Sequence, residues 1–214
     1  MIFNFLIISA LCKSFQHSKK SKTNDFINLD FNENPKTSSN DRNRNTLADS
    51  NICGNNLHYT IQQSQLIITG SGEMFNYGFN TDSTTESSST SPWNSYKSSI
   101  SSISISDDVT YIGNYAFYYF SQLSSISIPS KTTSIGSFAL SGCAKLESII
   151  IPDNVISIGD SALSYCEGLK SITLPEKITS IGHSVFSNCK GLQSFKIPPD
   201  MTSVVSGVFH YCSL

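Results

Sequence analysis

The second half of this 214-residue chain repeats itself at one fixed interval, and that leaves few folds open to it. The segments Thr-Ser-Ile-Gly, Ile-Ser-Ile-Gly and Thr-Ser-Ile-Gly end on Gly136, Gly159 and Gly182, which are equally spaced, and Gly113 lies one interval before the first. Other columns keep the same step. Leu123, Leu146, Leu169 and Leu192 form one, and Ile126, Ile149, Ile172 and Phe195 the next. They are followed by Ile128, Ile151, Leu174 and Ile197, then by Pro129, Pro152, Pro175 and Pro198. Ala116, Ala139, Ala162, Val185 and Val208 make a small-residue column, Phe117, Leu140, Leu163, Phe186 and Phe209 a large one, and Cys143, Cys166, Cys189 and Cys212 a third. Self-similarity at a fixed period of roughly 20–50 residues marks a repeat architecture, in which each unit leans on its neighbours.

Each unit divides in two. Leu-x-Ser-Ile-x-Ile-Pro alternates apolar and polar at its end, as a strand does, and proline stops it because it has no N–H for a neighbouring ladder. The second part, such as Ile135 to Cys143, carries apolar groups at 135, 139, 140 and 143. That spacing predicts one or two helical turns, with Ser137 and Asp160 as N-caps and His183 as a poorer one. A lone unit cannot stand. About seven buried apolar side chains at roughly 1.5–3 kcal/mol each do not offset about 1–2 kcal/mol for each of its ordered backbones. Stacking buries both sides of every unit, so the array is stable only together. The strands are expected to align as a parallel concave sheet, with strand spacing near about 4.8 Å.

Four segments follow from the composition. Residues 1–14 open on an apolar run of about ten residues, too short for a membrane span, which needs roughly 20. The run matches the core of a secretory signal peptide, with Ser9, Ala10 and Ser14 near a cleavage point, although no lysine or arginine precedes it. The alternative is a short buried strand. Residues 15–50 are polar and asparagine-rich and read as a disordered linker. Residues 51–97 read as a β-rich module: two alternating strands turn around Gln62-Gln63-Ser64, and Thr81 to Ser91 form a flexible loop. Residues 98–214 are the repeats. The last unit reaches Cys212 in register and stops at Leu214, one position before the next leucine of its column. That reads either as a fragment or as an open end that associates with a second chain.

The strand segment Leu146-Glu-Ser-Ile-Ile-Ile151 resembles the core of a leucine-rich repeat. The full unit, Ile-Gly-x-x-Ala-Phe-x-x-Cys-x-x-Leu-x-x-Ile-x-Ile-Pro, is similar to the repeat of BspA-like surface proteins of oral anaerobic bacteria and of protists such as trichomonads. It runs from Ile112 to Pro129 with Phe120 in the cysteine place, then from Ile135 to Pro152, Ile158 to Pro175 and Ile181 to Pro198. Cys53 to Ile61, Leu66 to Met74 and Pro92-Trp93 resemble that family's lead-in module, expected to cover the N-terminal end of the stack. The resemblance implies an α/β leucine-rich-repeat solenoid with a small β-hairpin cap. It also implies secreted or cell-surface placement, and adhesion to a protein or glycan of a host or its matrix.

Chemistry-bearing residues are few. The cysteine column falls among core positions and reads as buried thiols. No Cys-x-x-Cys pair or histidine partner suggests a metal, and no cofactor is expected. His17, His58, His183 and His210 sit in no motif with a nucleophile. Gly70-Ser71-Gly72 lacks the lysine of a phosphate loop. A net charge of −2, with 14 basic residues and no basic cluster inside the repeats, excludes a nucleic-acid footprint. The best candidate for function is the outward side of the repeated strand. It presents Ser102, Ser125, Ser148, Ser171 and Ser194 in one row and Ser104, Ser127, Ile150, Thr173 and Lys196 in a second. Such a face suits a non-enzymatic binding protein outside the cell. An intracellular interaction scaffold is the alternative if the N-terminus is not a signal peptide.

Overall fold

A computed structural model of the chain describes residues 51–79, 89–201 and 204–213. The expected signal peptide and polar linker lie outside the described residues, as do residues 81–88 of the expected loop. The end of that loop is held: Phe79 bridges Ser89, and the buried Ser89 and Ser91 hydroxyls bond each other at 2.9 Å.

The chain opens on β1 (Ile52–Gln62) and β2 (Gln65–Met74), an antiparallel hairpin closed by Gln63 and Ser64. Every later strand is parallel to a neighbour. β3 (Ser102–Ile105), β5 (Ser125–Ile126), β7 (Ser148–Ile150), β9 (Ser171–Thr173) and β11 (Ser194–Phe195) lie on one side of the units. β4 (Val109–Ile112), β6 (Ser134–Ile135), β8 (Ser157–Ile158) and β10 (Ser180–Ile181) lie on another. The hairpin feeds both series. Leu66 and Ile67 of β2 pair with Ile103 and Ser104 of β3, while Gly72 and Glu73 pair with Val109 and Tyr111 of β4. Between these halves Gly70 and Gly72 hold φ of +108° and +96°, a left-handed backbone that glycine adopts without steric cost. The glycines that looked like a fragment of a phosphate loop are thus the corner that splits one strand between two ladders.

The second ladder, β2–β4–β6–β8–β10, runs unbroken. Its pairs are Tyr111–Ser134, Ser134–Ser157 and Ser157–Ser180, each one period apart. The first ladder is in two pieces, β2–β3–β5 and β7–β9–β11. The Ser124 N–H bonds the Ser101 carbonyl at 3.1 Å and the Lys170 N–H bonds the Glu147 carbonyl at 3.0 Å, but no ladder bond joins β5 to β7. The continuous sheet expected on that side is therefore interrupted once.

The expected helical turns are absent. Among the described residues the helical element is a single 3₁₀ turn at Asn94–Tyr96. The segment from Ile135 to Cys143 is a chain of tight turns, and the reason lies in its amide bonds. Alternate amides point along the stack: Phe138 to the Asp160 carbonyl at 2.9 Å, Leu140 to Ala162 at 2.8 Å and Gly142 to Ser164 at 2.8 Å. The amides between them close turns within the unit, Ala139 to Gly136 and Ser141 to Phe138, both at 3.3 Å. Such alternation needs left-handed residues, and Tyr115, Phe138, Ser161 and Ser184 hold φ of 54°, 57°, 53° and 55°. Ser137 and Asp160 cap nothing. The Asp160 Oδ1 accepts the His183 N–H of the next unit at 2.7 Å, as the Asn114 Oδ1 accepts the Ser137 N–H at 2.7 Å. Apolar spacing alone cannot tell a helix from this third ladder, because both put residues 139, 140 and 143 inside.

The core fills the space between the ladders. The leucine column and the alanine–valine column are buried throughout. Ile126, Ile197 and Phe209 are half-buried members of the apolar columns. A further column, Val109, Thr132, Val155, Ile178 and Met201, is buried as well, with the Thr132 hydroxyl donating to the Val109 carbonyl at 3.1 Å. Trp93 is fully buried and joins the hairpin to the first unit. Its Nε1–H donates to the Ala116 carbonyl at 2.6 Å, and its ring stacks on Phe117 at 5.9 Å and meets Tyr59 edge-on at 5.1 Å.

Candidate functional site

The rows read as a candidate face occupy the first ladder. Ser104, Ser125, Ser127, Ser148, Ile150, Ser171, Thr173, Ser194 and Lys196 are exposed. Ser102 is half-buried and pairs with Gln65 of β2. Alternation produces this outcome: Ile149 and Ile172 between the serines point into the core at 4% and 5% exposure, so their neighbours face outward. The parallel register brings Ser148 beside Ser171 and Ile150 beside Thr173. Within each paired piece of the ladder, strand spacing puts successive serines about 4.8 Å apart. Ile150 leaves 79% of its surface in water, the highest figure among the exposed large hydrophobic residues.

Lys196 is the charged member of the two rows, and other charged residues pair across units. Lys170 pairs with Glu147 and Lys190 with Glu167, each at 2.6 Å across one period. Both pairs are well exposed, so they align units with little net stabilisation. The cysteine column lies inside. Cys143, Cys166, Cys189 and Cys212 are buried free thiols, donating to the carbonyls of Phe117, Leu140, Leu163 and Phe186 at 3.5, 3.3, 3.2 and 3.0 Å. Burial pushes the Cys143 thiol up to about 12. Cys166 and Cys189 move in the same direction, chiefly by burial, with neighbouring thiols of the column adding to it. At neutral pH these groups are protonated and serve as packing. Cys53 of the hairpin is likewise buried and raised to about 12. His58, His183 and His210 are exposed. Among the described residues no three His, Cys, Asp or Glu side chains converge as metal ligands, and no helix is long and apolar enough to cross a membrane.

The sequence reading missed the second ladder and the turn side. The ladder was signalled by β-branched residues alternating before each glycine, Thr133 and Ile135, then Ile156 and Ile158. On its exposed side Thr133, Thr179 and Ile156 alternate with the buried isoleucines, and Ile156 is 57% exposed. On the turn side a groove opens beside Tyr118 and Tyr165. Its signal was a step from aromatic residues to serine in two columns, Tyr115–Phe138–Ser161–Ser184 and Tyr118–Ser141–Ser164–Ser187.

Units of equal length, joined through parallel ladders and a shared apolar interior, with one hydroxyl-rich ladder face, define a leucine-rich-repeat solenoid. Within that class the chain belongs to the BspA type leucine rich repeat family, whose model matches residues 94–214, more than half its length, in six copies. Among solved structures it is similar to a leucine rich repeat protein of T. pallidum, at 24% identity and a TM-score of 0.51 over 72% of this chain and 64% of that one. It is also similar to a leucine-rich repeat protein of Eubacterium ventriosum, at 17% identity and a TM-score of 0.52 over 69% of this chain and 43% of the other. The chain thus spans less than two thirds of either structure, and at these identities the likeness is one of fold. No curated protein matches the sequence.

Proposed function

We propose that this chain is a non-enzymatic binding protein of the cell surface or extracellular space. It holds a protein or glycan partner of a host or its matrix through the first-ladder face. The observation that carries this reading is Ile150. A single exposed hydrophobic residue is ordinary on any surface, but Ile150 lies mid-row, with Ser127 and Thr173 in the flanking units and Ser148 two residues before it on the same strand. Binding energy concentrates in a few central anchors ringed by groups that exclude water, and this row has that form. The hydroxyls around it both donate and accept hydrogen bonds, and the hairpin covers the N-terminal end of the stack.

Two measurements test the reading. Attachment of the purified chain to host cells or matrix proteins is compared with that of Ile150→Glu and of the triple variant carrying Ser148→Arg, Ile150→Glu and Ser171→Arg. Loss of a central anchor costs about 2 kcal/mol, near thirtyfold in affinity; undiminished attachment by a folded triple variant removes the face from consideration. Microscopy of a tagged full-length chain tests the location, and retention in the cytosol would favour the intracellular scaffold.

A further inference from the structure

The groove on the turn side lies apart from the first-ladder face and has its own chemistry. It encloses about 220 Å³. Its origin is in the repeat columns. Phe138 gives way to Ser161 and Ser184 in successive units, and Tyr118 gives way to Ser141 one unit earlier. Two aromatic columns therefore end one unit apart, leaving a step. The wall of the step is Tyr118 against Phe138, ring centroids 6.3 Å apart at 81°. The third column closes the side. Gly142 stands between Tyr119 and Tyr165, and the Tyr119 ring folds over it, so that a Cβ there would sit 2.7 Å from the ring. Tyr165 in the next unit is 46% exposed, and among the described residues no other ring stacks on it.

The floor is polar but uncharged. The Ser164 hydroxyl donates to the Ser161 carbonyl at 3.0 Å. The Ser141–Ser164 contact of 2.8 Å must then have Ser141 as its donor. Ser161 and Ser184 carry half-buried hydroxyls that bond no other group of the protein among the described residues. Parallel stacking sets them about 4.8 Å apart. The lining consists of tyrosine, phenylalanine and serine alone.

We infer that this groove binds a neutral saccharide, one sugar ring seated against the Tyr165 and Phe138 side chains with its hydroxyls on Ser161 and Ser184. Each feature selects that chemistry. An aromatic face takes up an apolar C–H patch, and the serine hydroxyl, donor and acceptor at once, matches groups that are the same. Without a charged group the groove offers nothing to compensate the desolvation of an anionic or cationic ligand. Its volume is below the roughly 300–1,000 Å³ of sites for drug-sized molecules, which suits one ring at the end of a chain and excludes a folded partner. This site is independent of the first-ladder face.

The test uses the purified full chain and a panel of neutral disaccharides (maltose, cellobiose and lactose) beside their sulfated counterparts and unstructured peptides. Saturation-transfer NMR reports contact and titration calorimetry reports affinity. The expected result is binding of at least one neutral sugar at roughly millimolar dissociation constant. Tyr165→Gly is the informative variant: φ at this position is 57°, so glycine relieves the backbone while removing the ring. It should weaken binding about tenfold, as should Ser184→Glu, whereas Ile150→Glu should leave sugar binding unchanged. Failure of every neutral sugar, equal binding by Tyr165→Gly, preference for the sulfated forms, or binding of peptides alone would overturn the assignment. Loss of cell attachment in Ile150→Glu with sugar binding intact separates this site from the first-ladder face.

Discussion

Replacing Trp93 by alanine should cost about 3–5 kcal/mol of folding stability, the range for deleting a fully buried large aromatic side chain. Four interactions meet at this ring. Phe117 stacks on it, Tyr59 and Tyr77 meet it edge-on at 5.1 and 5.6 Å, and its Nε1–H holds the Ala116 carbonyl. Tyr59 lies on β1 and Tyr77 just after β2, while Phe117 and Ala116 belong to the first unit, so the loss falls on the joint between them. The alanine variant also leaves a buried carbonyl without its donor, adding roughly 1–3 kcal/mol of desolvation cost where water cannot reach. Trp93→Phe keeps the ring contacts and loses the hydrogen bond, and should lie between the two. Urea unfolding followed by circular dichroism measures the series. A loss below about 1 kcal/mol in the alanine variant would mean that the hairpin is not docked through this residue.

The second large effect concerns a glycine whose role is space rather than backbone freedom. A Cβ on Gly159 would lie 2.6 Å from the Ser137 amide nitrogen and 2.9 Å from the Gly136 carbonyl carbon. The obstacle is backbone, held by the 2.8 Å bond from the Gly159 N–H to the Ile135 carbonyl, and cannot rotate away. Gly159→Val should therefore cost roughly 3 kcal/mol or more, the upper end of overpacking penalties. The cost should appear on both sides of the junction, because each unit is stabilised only by its neighbours. Gly78 is the control: the nearest atom to a Cβ there is the Thr90 hydroxyl at 4.0 Å. Gly78→Ala should change stability by less than about 1 kcal/mol. Comparable losses in both variants would show that close approach between units is not what selects glycine at position 159.

Much of this arrangement is legible in the sequence. The period fixed which residues share a column, and columns translate into rows when units stack. Leu123 to Leu192 and Cys143 to Cys212 are buried rows for that reason, and Ser125 to Ser194 an exposed one. The turn segment was not legible. Residues 135, 139, 140 and 143 face inward in a helix and equally in an alternating turn, so spacing could not decide. The deciding fact is where the Phe138, Leu140 and Gly142 amides find acceptors, and those are Asp160, Ala162 and Ser164 of the next unit. Position-level clues existed. Gly142 and Gly207 occur at two of the left-handed columns, with φ of 79° each, where a helix would have had little use for glycine. The break between β5 and β7 left no mark in the sequence, and nothing in the local residues explains it. The turn-side groove was invisible for a different reason. It arises where two columns change residue type in adjacent units, and a shared repeat pattern does not mark where columns differ.

Amide hydrogen exchange on the native chain tests most directly whether the units are joined through their turns as well as their strands. The stack predicts that Phe138, Leu140, Gly142, Ser161, Leu163 and Tyr165, whose amides cross to the next unit at 2.8–3.1 Å, exchange as slowly as the strand amides of Ile135 and Ile158. Short helices would leave the first amides after Ser137 and Asp160 without an intrahelical acceptor. Fast exchange at Phe138 and Ser161 beside protected strands would contradict the stack.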